Sequence, residues 1–145
     1  MEIRKPDESE LEWIFTLSPL AIKEGTTGES TPDAVKTKKL IEHVLEKGGR
    51  YCAAFEKDQL LGWALVGSGK DSFTDKAFGF VYELFVLPDY RGKGIAEQLM
   101  NTVRDHFKSD GFREVRLSVY AENKAIDLYK KLGYTEKTIT MNMEL

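Results

Sequence analysis

The 145-residue sequence is poor in the residues that support disulfide and metal chemistry. Cys52 is the only cysteine, so no disulfide can form within the chain. The apolar "YCAAF" around it indicates a buried packing thiol rather than a nucleophile. The two histidines, His43 and His106, have no cysteine, histidine or carboxylate at a ligand spacing, so we predict no metal site.

The chain also lacks a basic excess and a long apolar run. A formal net charge of -3 and a pI near 5.5 disfavour nucleic acid as a partner, because phosphate binding needs a clustered basic surface. No stretch approaches the roughly 18 apolar residues that span a membrane. The opening "MEIRKPDESELEW" is charged where a signal peptide would be apolar. We therefore expect a cytoplasmic protein with no membrane partner.

What is present is the composition of a globular domain, with 41% hydrophobic and 31% charged residues. Apolar periodicity and turn residues predict the element order β-α-α-β-β-β-α-β-α-β. Asp7 or Ser9 can cap the first helix, and Thr31 followed by Pro32 predicts the start of the second. Gly48 is expected to end that second helix.

The second half of the chain predicts a β-α-β-α-β succession. Glycine-bounded helical patterns cover residues 95–110 and 122–133, and residues 113–120 form a strand between them. The crossover helix makes its two flanking strands parallel neighbours. In "TITMNMEL", residues 138–145, apolar residues alternate with polar ones, which predicts a half-buried last strand. The fold class is therefore α/β, with a mixed, mostly antiparallel central sheet flanked by helices.

A strand-to-helix corner, "YELFVLPDYRGKGIAEQLM", carries the main functional signal. Glycines at such a corner suit phosphate binding, and three motifs compete for them. The dinucleotide motif G-x-G-x-x-G fails because its third glycine is Glu97, a carboxylate that would lie beside a diphosphate. The Walker A loop fails too, because "GSGKDS" from Gly67 lacks its spacing and leads into no helix.

The third motif, [RQ]-x-x-G-x-[GA], is matched by Arg91, Gly94 and Ala96. Backbone N–H groups at a helix N-terminus carry partial positive charge, and small residues let a phosphate approach them. Arg91 and Lys93 add full positive charge. The motif therefore favours a pyrophosphate ligand, although alone it also fits a flexible glycine-rich turn.

A second block, "SVYAENKAIDLYKKLGY", follows at residues 118–134. With this block and the element order, the sequence resembles the GNAT superfamily of N-acetyltransferases over nearly its whole length. The resemblance implies one N-acetyltransferase domain over residues 1–145, with acetyl-CoA as co-substrate and no metal. It also implies that strands splay beside the glycine loop, and that coenzyme is bound by Leu84, Phe85, Val86, Arg91, Gly92, Lys93, Gly94, Ile95, Ala96, Asn123 and Tyr129.

Amide formation from a thioester needs a base for the protonated amine, donors for an oxyanion and an acid for the departing thiolate. The resemblance implies that Tyr129 is the acid, while its helical face also fits simple core packing. Glu83 is the candidate base or acceptor anchor, because burial among aromatic residues could raise its pKa. It could equally be an edge carboxylate, with ordered waters serving as the base. Strand alternation puts Glu83 opposite Tyr82 and Leu84, unless a bulge changes the phase.

The acetyl acceptor is predicted to be a primary amine of a small molecule, because no extra domain is available for docking a protein. Acetylation of protein N-termini or lysines is the alternative, and a non-catalytic acyl-CoA sensor or a structural role are others. A homodimer would fit the family. Loops that carry Glu24, Glu29, Asp71 and Asp75 could wall the acceptor site, or these carboxylates could be plain solvated charges.

Overall fold

The computed structural model describes residues 1–145 as one five-stranded sheet between two helical layers. The strands lie in the order β1-β2-β3-β4-β5, with β4 and β5 parallel and all other pairs antiparallel. The predicted α/β class with a mixed, mostly antiparallel sheet is confirmed. The elements are β1 (Glu2–Arg4), α1 (Glu8–Gly25), α2 (Ala34–Glu46), β2 (Arg50–Glu56), β3 (Gln59–Lys70), β4 (Ala77–Val86), a 3₁₀ turn (Pro88–Tyr90), α3 (Ile95–Ser109), β5 (Val115–Leu117) and α4 (Ala125–Lys131).

Local side-chain capping sets the start of both N-terminal helices. Asp7 caps α1 in a capping box, in which its carboxylate accepts from the Glu10 N–H at 2.8 Å and the Glu10 carboxylate accepts from the Asp7 N–H at 2.9 Å. The predicted start of α2 at Thr31 and Pro32 is wrong. Asp33 caps this helix instead, accepting from the Lys36 N–H at 2.7 Å, because a carboxylate serves the first helical N–H groups better than threonine does.

The sheet separates two apolar clusters. Helices α1 and α2 cover one face, where Ile14 and Ile41 pack with Trp63 of β3. Helices α3 and α4 cover the other face, where Leu99 and Val103 are fully enclosed. Cys52 is buried in this second cluster as predicted, and burial raises the pKa of its thiol. None of the helices has the length and apolarity needed to cross a bilayer.

A β-bulge in β4 changes which face its later residues occupy. Leu65 pairs with Glu83 but the next residue, Val66, pairs with Val81, so Tyr82 is an extra residue on β4. Val81 packs on the α3 side, whereas Glu83 lies opposite Leu65, which belongs to the cluster under α1 and α2. The bulge therefore places Tyr82 and Glu83 on the same face, not on opposite faces as uninterrupted alternation predicts.

The predicted last strand at residues 138–145 is wrong for the single chain. Residues 134–145 have no regular structure, and Ile139, Met141, Met143 and Leu145 are 73%, 88%, 80% and 113% exposed. Alternating apolar residues form a half-buried strand only when another strand accepts them, and β5 is hydrogen-bonded to β4 alone. Strand β5 is likewise shorter than the predicted 113–120, and α4 is shorter than the predicted 122–133.

Candidate active site

A groove of about 430 Å³ opens between the end of β4, the start of α3 and the loop before α4. It exists because β4 and β5 pair only through Gly79–Val81 and Val115–Leu117. Beyond Val81, residues 82–86 of β4 pair with β3 alone, so no strand covers their outer backbone edge. A free edge of this kind can pair with an extended ligand as with an added strand.

The groove brings the predicted coenzyme-binding residues together, apart from Lys93. Lys93 lies with its ammonium 5.8 Å from the centre of the Tyr90 ring. The residues that line the groove from this predicted set are Leu84, Phe85, Val86, Arg91, Gly92, Gly94, Ile95, Ala96, Asn123 and Tyr129.

The glycine loop has the backbone form that an anion site requires. Gly92 and Gly94 adopt φ of 77° and 78°, a left-handed conformation that favours glycine. Gly94 is the N-cap of α3 and contributes no side-chain hydrogen bond, so the first N–H groups of this helix have no side-chain cap. A Cβ built on Gly94 meets no atom within 4 Å. The helix N-terminus therefore faces open space.

The end of α1 closes the groove and was not predicted to be part of it. Glu24 Oε2 lies 2.6 Å from Arg91 Nη2, while Arg91 Nε donates to the Val86 carbonyl at 2.8 Å. On the opposite wall, Asn123 Nδ2 donates to the Gly25 carbonyl at 3.3 Å. Helix α1 is thus bonded to both walls. Glu24, for which the sequence left open a place in the acceptor wall or a solvated charge, lies beside the glycine loop.

Tyr129 lies on α4 and lines the groove. Its ring packs edge-on against Tyr134, with ring centres 5.9 Å apart. Burial, followed by the neighbouring Tyr134, raises the pKa of Tyr129 to about 12. Its hydroxyl therefore stays protonated through the neutral range and can donate a hydrogen bond into the groove.

Glu83 lies on the other face of β4, among residues that sequence reasoning missed. The Trp63 indole N–H donates to its carboxylate. Burial raises the pKa of Glu83 to about 7, and the Trp63 hydrogen bond, which favours the ionised form, opposes that rise. Burial and then the nearby charge of Glu83 raise the pKa of Tyr51. Glu83 is therefore half protonated near neutral pH, which suits proton exchange.

Three aromatic residues extend the Glu83 face towards β5. Phe80 and Tyr82 have ring centres 4.9 Å apart, and Phe78 follows Phe80 at 6.3 Å. Arg116 of β5 lies 4.1 Å over the Phe78 ring and binds Asp71 at 2.8 Å. No three histidine, cysteine, aspartate or glutamate side chains lie close enough together to hold a metal ion.

The family match identifies the class of protein as an acyltransferase, because residues 11–134 match the Acetyltransferase (GNAT) family. The chain belongs to the GNAT acetyltransferase family, whose members use acetyl-CoA as co-substrate.

This chain matches only part of each of its longer relatives. An uncharacterized N-acetyltransferase of Methanocaldococcus jannaschii is 47% identical over 60 residues, which are 41% of this chain and 26% of that protein. A mycothiol acetyltransferase of Renibacterium salmoninarum is 26% identical over 130 residues, 89% of this chain and 38% of that protein. The chain thus spans less than half of either relative. The solved structure of a proposed acetyl transferase from Pyrococcus furiosus shares the fold, with a TM-score of 0.83, 22% identity and coverage of 99% of this chain and 100% of that one.

Proposed function

We propose that residues 1–145 form one N-acetyltransferase domain that moves the acetyl group of acetyl-CoA to a primary amine. The acceptor is a small molecule, and the amine attacks directly while both substrates are bound. The observation that supports this most is the single groove, where the free edge of β4, the glycine loop and Tyr129 meet. The free edge of β4 and the glycine loop follow one another in the chain, whereas Tyr129 comes from α4, after α3 and β5.

The groove offers suitable partners for each part of the coenzyme. The open N-terminus of α3, with Arg91 and Lys93, suits the pyrophosphate. The outer backbone edge from Leu84 to Val86 has no strand partner and suits the amide-rich arm, although the Val86 carbonyl accepts from Arg91 Nε, and Asn123 can bind the far side of the arm. Arg91 must exchange Glu24 for phosphate when the coenzyme binds, because its guanidinium is paired in the structure.

The proton transfers divide between the two faces of β4. A primary amine with a pKa near about 10.4 must lose a proton before attack, and Glu83, with a pKa of about 7, accepts it. As the C–N bond forms, a backbone N–H on the free edge of β4 stabilises the oxyanion. As the C–S bond breaks, the nitrogen of the intermediate gives up its second proton to the departing sulfur, and Tyr129 donates a hydrogen bond to that sulfur. Tyr129 stabilises the leaving group chiefly as a donor, since a phenol with a pKa of about 12 is a weaker acid than a thiol.

The Glu83 face supports a cationic amine as acceptor. Aromatic faces and a carboxylate both attract cations, and Phe80 and Tyr82 lie beside Glu83 on that face. The loop carboxylates are less available for this role, because Asp71 is bound to Arg116 and Glu24 to Arg91.

A protein N-terminus is the second candidate acceptor. A [ribosomal protein bS18]-alanine N-acetyltransferase of Haemophilus influenzae is 29% identical to this chain over 98 residues, which are 66% of this chain and 63% of that enzyme. A non-catalytic acyl-CoA sensor would need the glycine loop but neither Glu83 nor Tyr129.

The decisive experiment measures thiol release from acetyl-CoA against polyamines, amino acids, aminoglycosides and alanine-initiated peptides, with coenzyme binding followed by calorimetry. We expect binding and turnover with one class of small amine. Turnover with peptides alone would favour the protein acceptor. Binding with no turnover across the panel would favour the sensor, and no binding would contradict the proposal.

Replacing Gly94 by valine is expected to raise the dissociation constant of acetyl-CoA by at least about tenfold, because a branched side chain would occupy the open space before the helix N-terminus. Gly111→Val is the matched control. Gly111 also has a left-handed backbone, with φ of 90°, and open space at its Cβ, but it lies at the far end of α3. Calorimetry on both variants separates backbone strain from blocked binding, and equal affinities would contradict the loop assignment.

A further inference from the structure

A row of three aromatic side chains follows β4 on the face that carries Glu83. Phe78, Phe80 and Tyr82, here called the aromatic row, have successive ring centres 6.3 and 4.9 Å apart. Tyr82 is 47% exposed, and the other two rings are half-buried. None of the three belongs to either apolar cluster of the core. The aromatic row is therefore a surface feature that core packing does not explain.

Two glycines in β3 make space for the aromatic row. A Cβ on Gly67 would lie 2.9 Å from the Tyr82 ring, and a Cβ on Gly69 would lie 2.7 Å from the Phe78 ring. Both distances are too short for a side chain at either position. Glycine in a strand interior weakens the strand, and it often marks a place where another group approaches the backbone closely. The "GSG" of β3, which fails as a Walker A loop, instead lets these rings pack directly on the backbone.

Arg116 closes one end of the aromatic row. Its guanidinium lies 4.1 Å over the Phe78 ring, so this ring is covered. The same guanidinium binds Asp71 at 2.8 Å and Glu114 at 3.0 Å. Because two carboxylates already neutralise its charge, Arg116 has little attraction for an anionic ligand. The part of the row that remains open is formed by its other two rings.

Glu83 lies at the open end of the row and has no cationic partner. Its carboxylate accepts a hydrogen bond from the Trp63 indole N–H, and no positive charge stabilises it. Trp63 is fully buried with its ring centre 4.8 Å from that of Phe85, which fixes the donor in place. A carboxylate without an ion-pair partner, next to the exposed ring of Tyr82, attracts one positive charge.

We propose that the acetyl acceptor is an arylalkyl amine, whose ammonium group pairs with Glu83 and whose aromatic ring packs on Phe80 and Tyr82. This inference rests on the proposed function, because it names the substrate class of the same site. Tyr82 and Glu83 are consecutive, about 3.3 Å apart along the strand, so a short alkyl chain joins the amine to the ring. The products are the N-acetyl amine, the thiol of coenzyme A and one proton, which Glu83 holds until solvent takes it.

The charges along the row exclude several other amines as good acceptors. One carboxylate without a partner suits one positive charge, so polyamines and aminoglycosides, which carry several, gain nothing from the row. An aromatic amino acid fits the rings, but its own carboxylate lies next to the amine and is repelled by Glu83. Such an amino acid is therefore a slower acceptor than the amine that lacks the carboxylate.

Thiol release from acetyl-CoA with matched amines tests this substrate class. The value of kcat/KM for 2-phenylethylamine is expected to exceed that for propylamine roughly 30-fold, the effect of burying one aromatic ring. Phenylalanine should turn over at least about tenfold more slowly than 2-phenylethylamine, because it adds a carboxylate beside Glu83. Turnover of propylamine or putrescine at a kcat/KM equal to or above that for 2-phenylethylamine would overturn the proposal.

Variants of the row test its part in this preference. Tyr82→Ala should lower the ratio of kcat/KM for 2-phenylethylamine to that for propylamine at least about fivefold, because it removes one of the two open rings. Gly67→Ala keeps Tyr82 but displaces its ring, and should lower the ratio as well. Phe73→Ala is the matched control, because Phe73 is 98% exposed in the turn between β3 and β4 and lies outside the row. An equal ratio in Tyr82→Ala and Phe73→Ala would refute the role of the row.

An NMR titration with 2-phenylethylamine in the presence of coenzyme A measures binding without turnover. Binding that is weakened in Tyr82→Ala but not in Phe73→Ala would support the row, and if no amine then released thiol, acetyl transfer alone would be contradicted. Thiol release with other amines but not with 2-phenylethylamine would leave acetyl transfer intact and overturn the arylalkyl class. Absence of 2-phenylethylamine binding, as expected if another protein covers the row, would also overturn it.

Discussion

Tyr129→Phe is expected to lower kcat by roughly 10²- to 10³-fold while coenzyme binding changes little. The substitution removes only the hydroxyl of this groove-lining residue and keeps the ring that packs against Tyr134. Without that donor the departing thiolate is less stabilised, and this loss is felt in the transition state rather than in the bound ground state. Steady-state kinetics with calorimetry on the coenzyme separates the two.

Tyr134→Phe is the matched control, because Tyr134 contacts Tyr129 but does not line the groove. It loses the same atom from the same aromatic pair. If both variants turned over at the wild-type rate, Tyr129 would be a packing residue. If both fell equally, the pair would act through the position of α4 and not through one hydroxyl.

Glu83→Gln is expected to remove a limb of the pH profile. In wild type, kcat/KM should rise with pH through an apparent pKa near 7 as Glu83 ionises and becomes a base. Glutamine keeps the shape but accepts no proton, so the rate should fall by about 10²-fold or more, and the limb near pH 7 should vanish. The ionisation of the amine itself would still raise the rate at higher pH. A variant that retains the limb would assign the base to ordered water or another group.

The same substitution should stabilise the protein at alkaline pH. Burial raises the pKa of Glu83 from 4.5 to about 7, so the stability this carboxyl contributes is fully present below pH 4.5 and is lost as pH rises through 7. The shift corresponds to at most about 3 kcal/mol. Urea unfolding should therefore show Glu83→Gln close to wild type at pH 4.5 and more stable at pH 8. An equal difference at both pH values would contradict the raised pKa.

Local backbone needs explain why the glycine corner could be predicted from the sequence. Left-handed conformations at Gly92 and Gly94 restrict the residue type, so the requirement is visible in the sequence itself. The helix that follows supplies its N–H groups by position alone. The family pattern around Asn123 and Tyr129 predicted residues of the opposite wall. All of the predicted coenzyme-binding residues except Lys93 line one groove.

Long-range contacts explain what the sequence did not predict. Glu24 and Arg91 are 67 residues apart, and neither has a local feature that indicates the other. The Trp63 bond to Glu83 depends on strand register, which the bulge at Tyr82 sets. No glycine lies at this bulge, so the sequence gives no local signal for it. Residues 138–145 show a different limit. Their apolar alternation predicts a strand, but it does not identify the strand with which they would pair.

The bulge at Tyr82 shortens the spacing between side chains on one face of β4. A regular strand presents one side chain to a given face for every two residues, or about 6.6 Å. At the bulge, consecutive residues Tyr82 and Glu83 face the same side, so a phenol and a carboxylate stand next to each other where one group would normally fit. Because Tyr82 is the inserted residue, its deletion would restore regular pairing and leave Glu83 on the same face. Position 82 can therefore vary, or be lost, while Glu83, the proposed base, keeps its orientation.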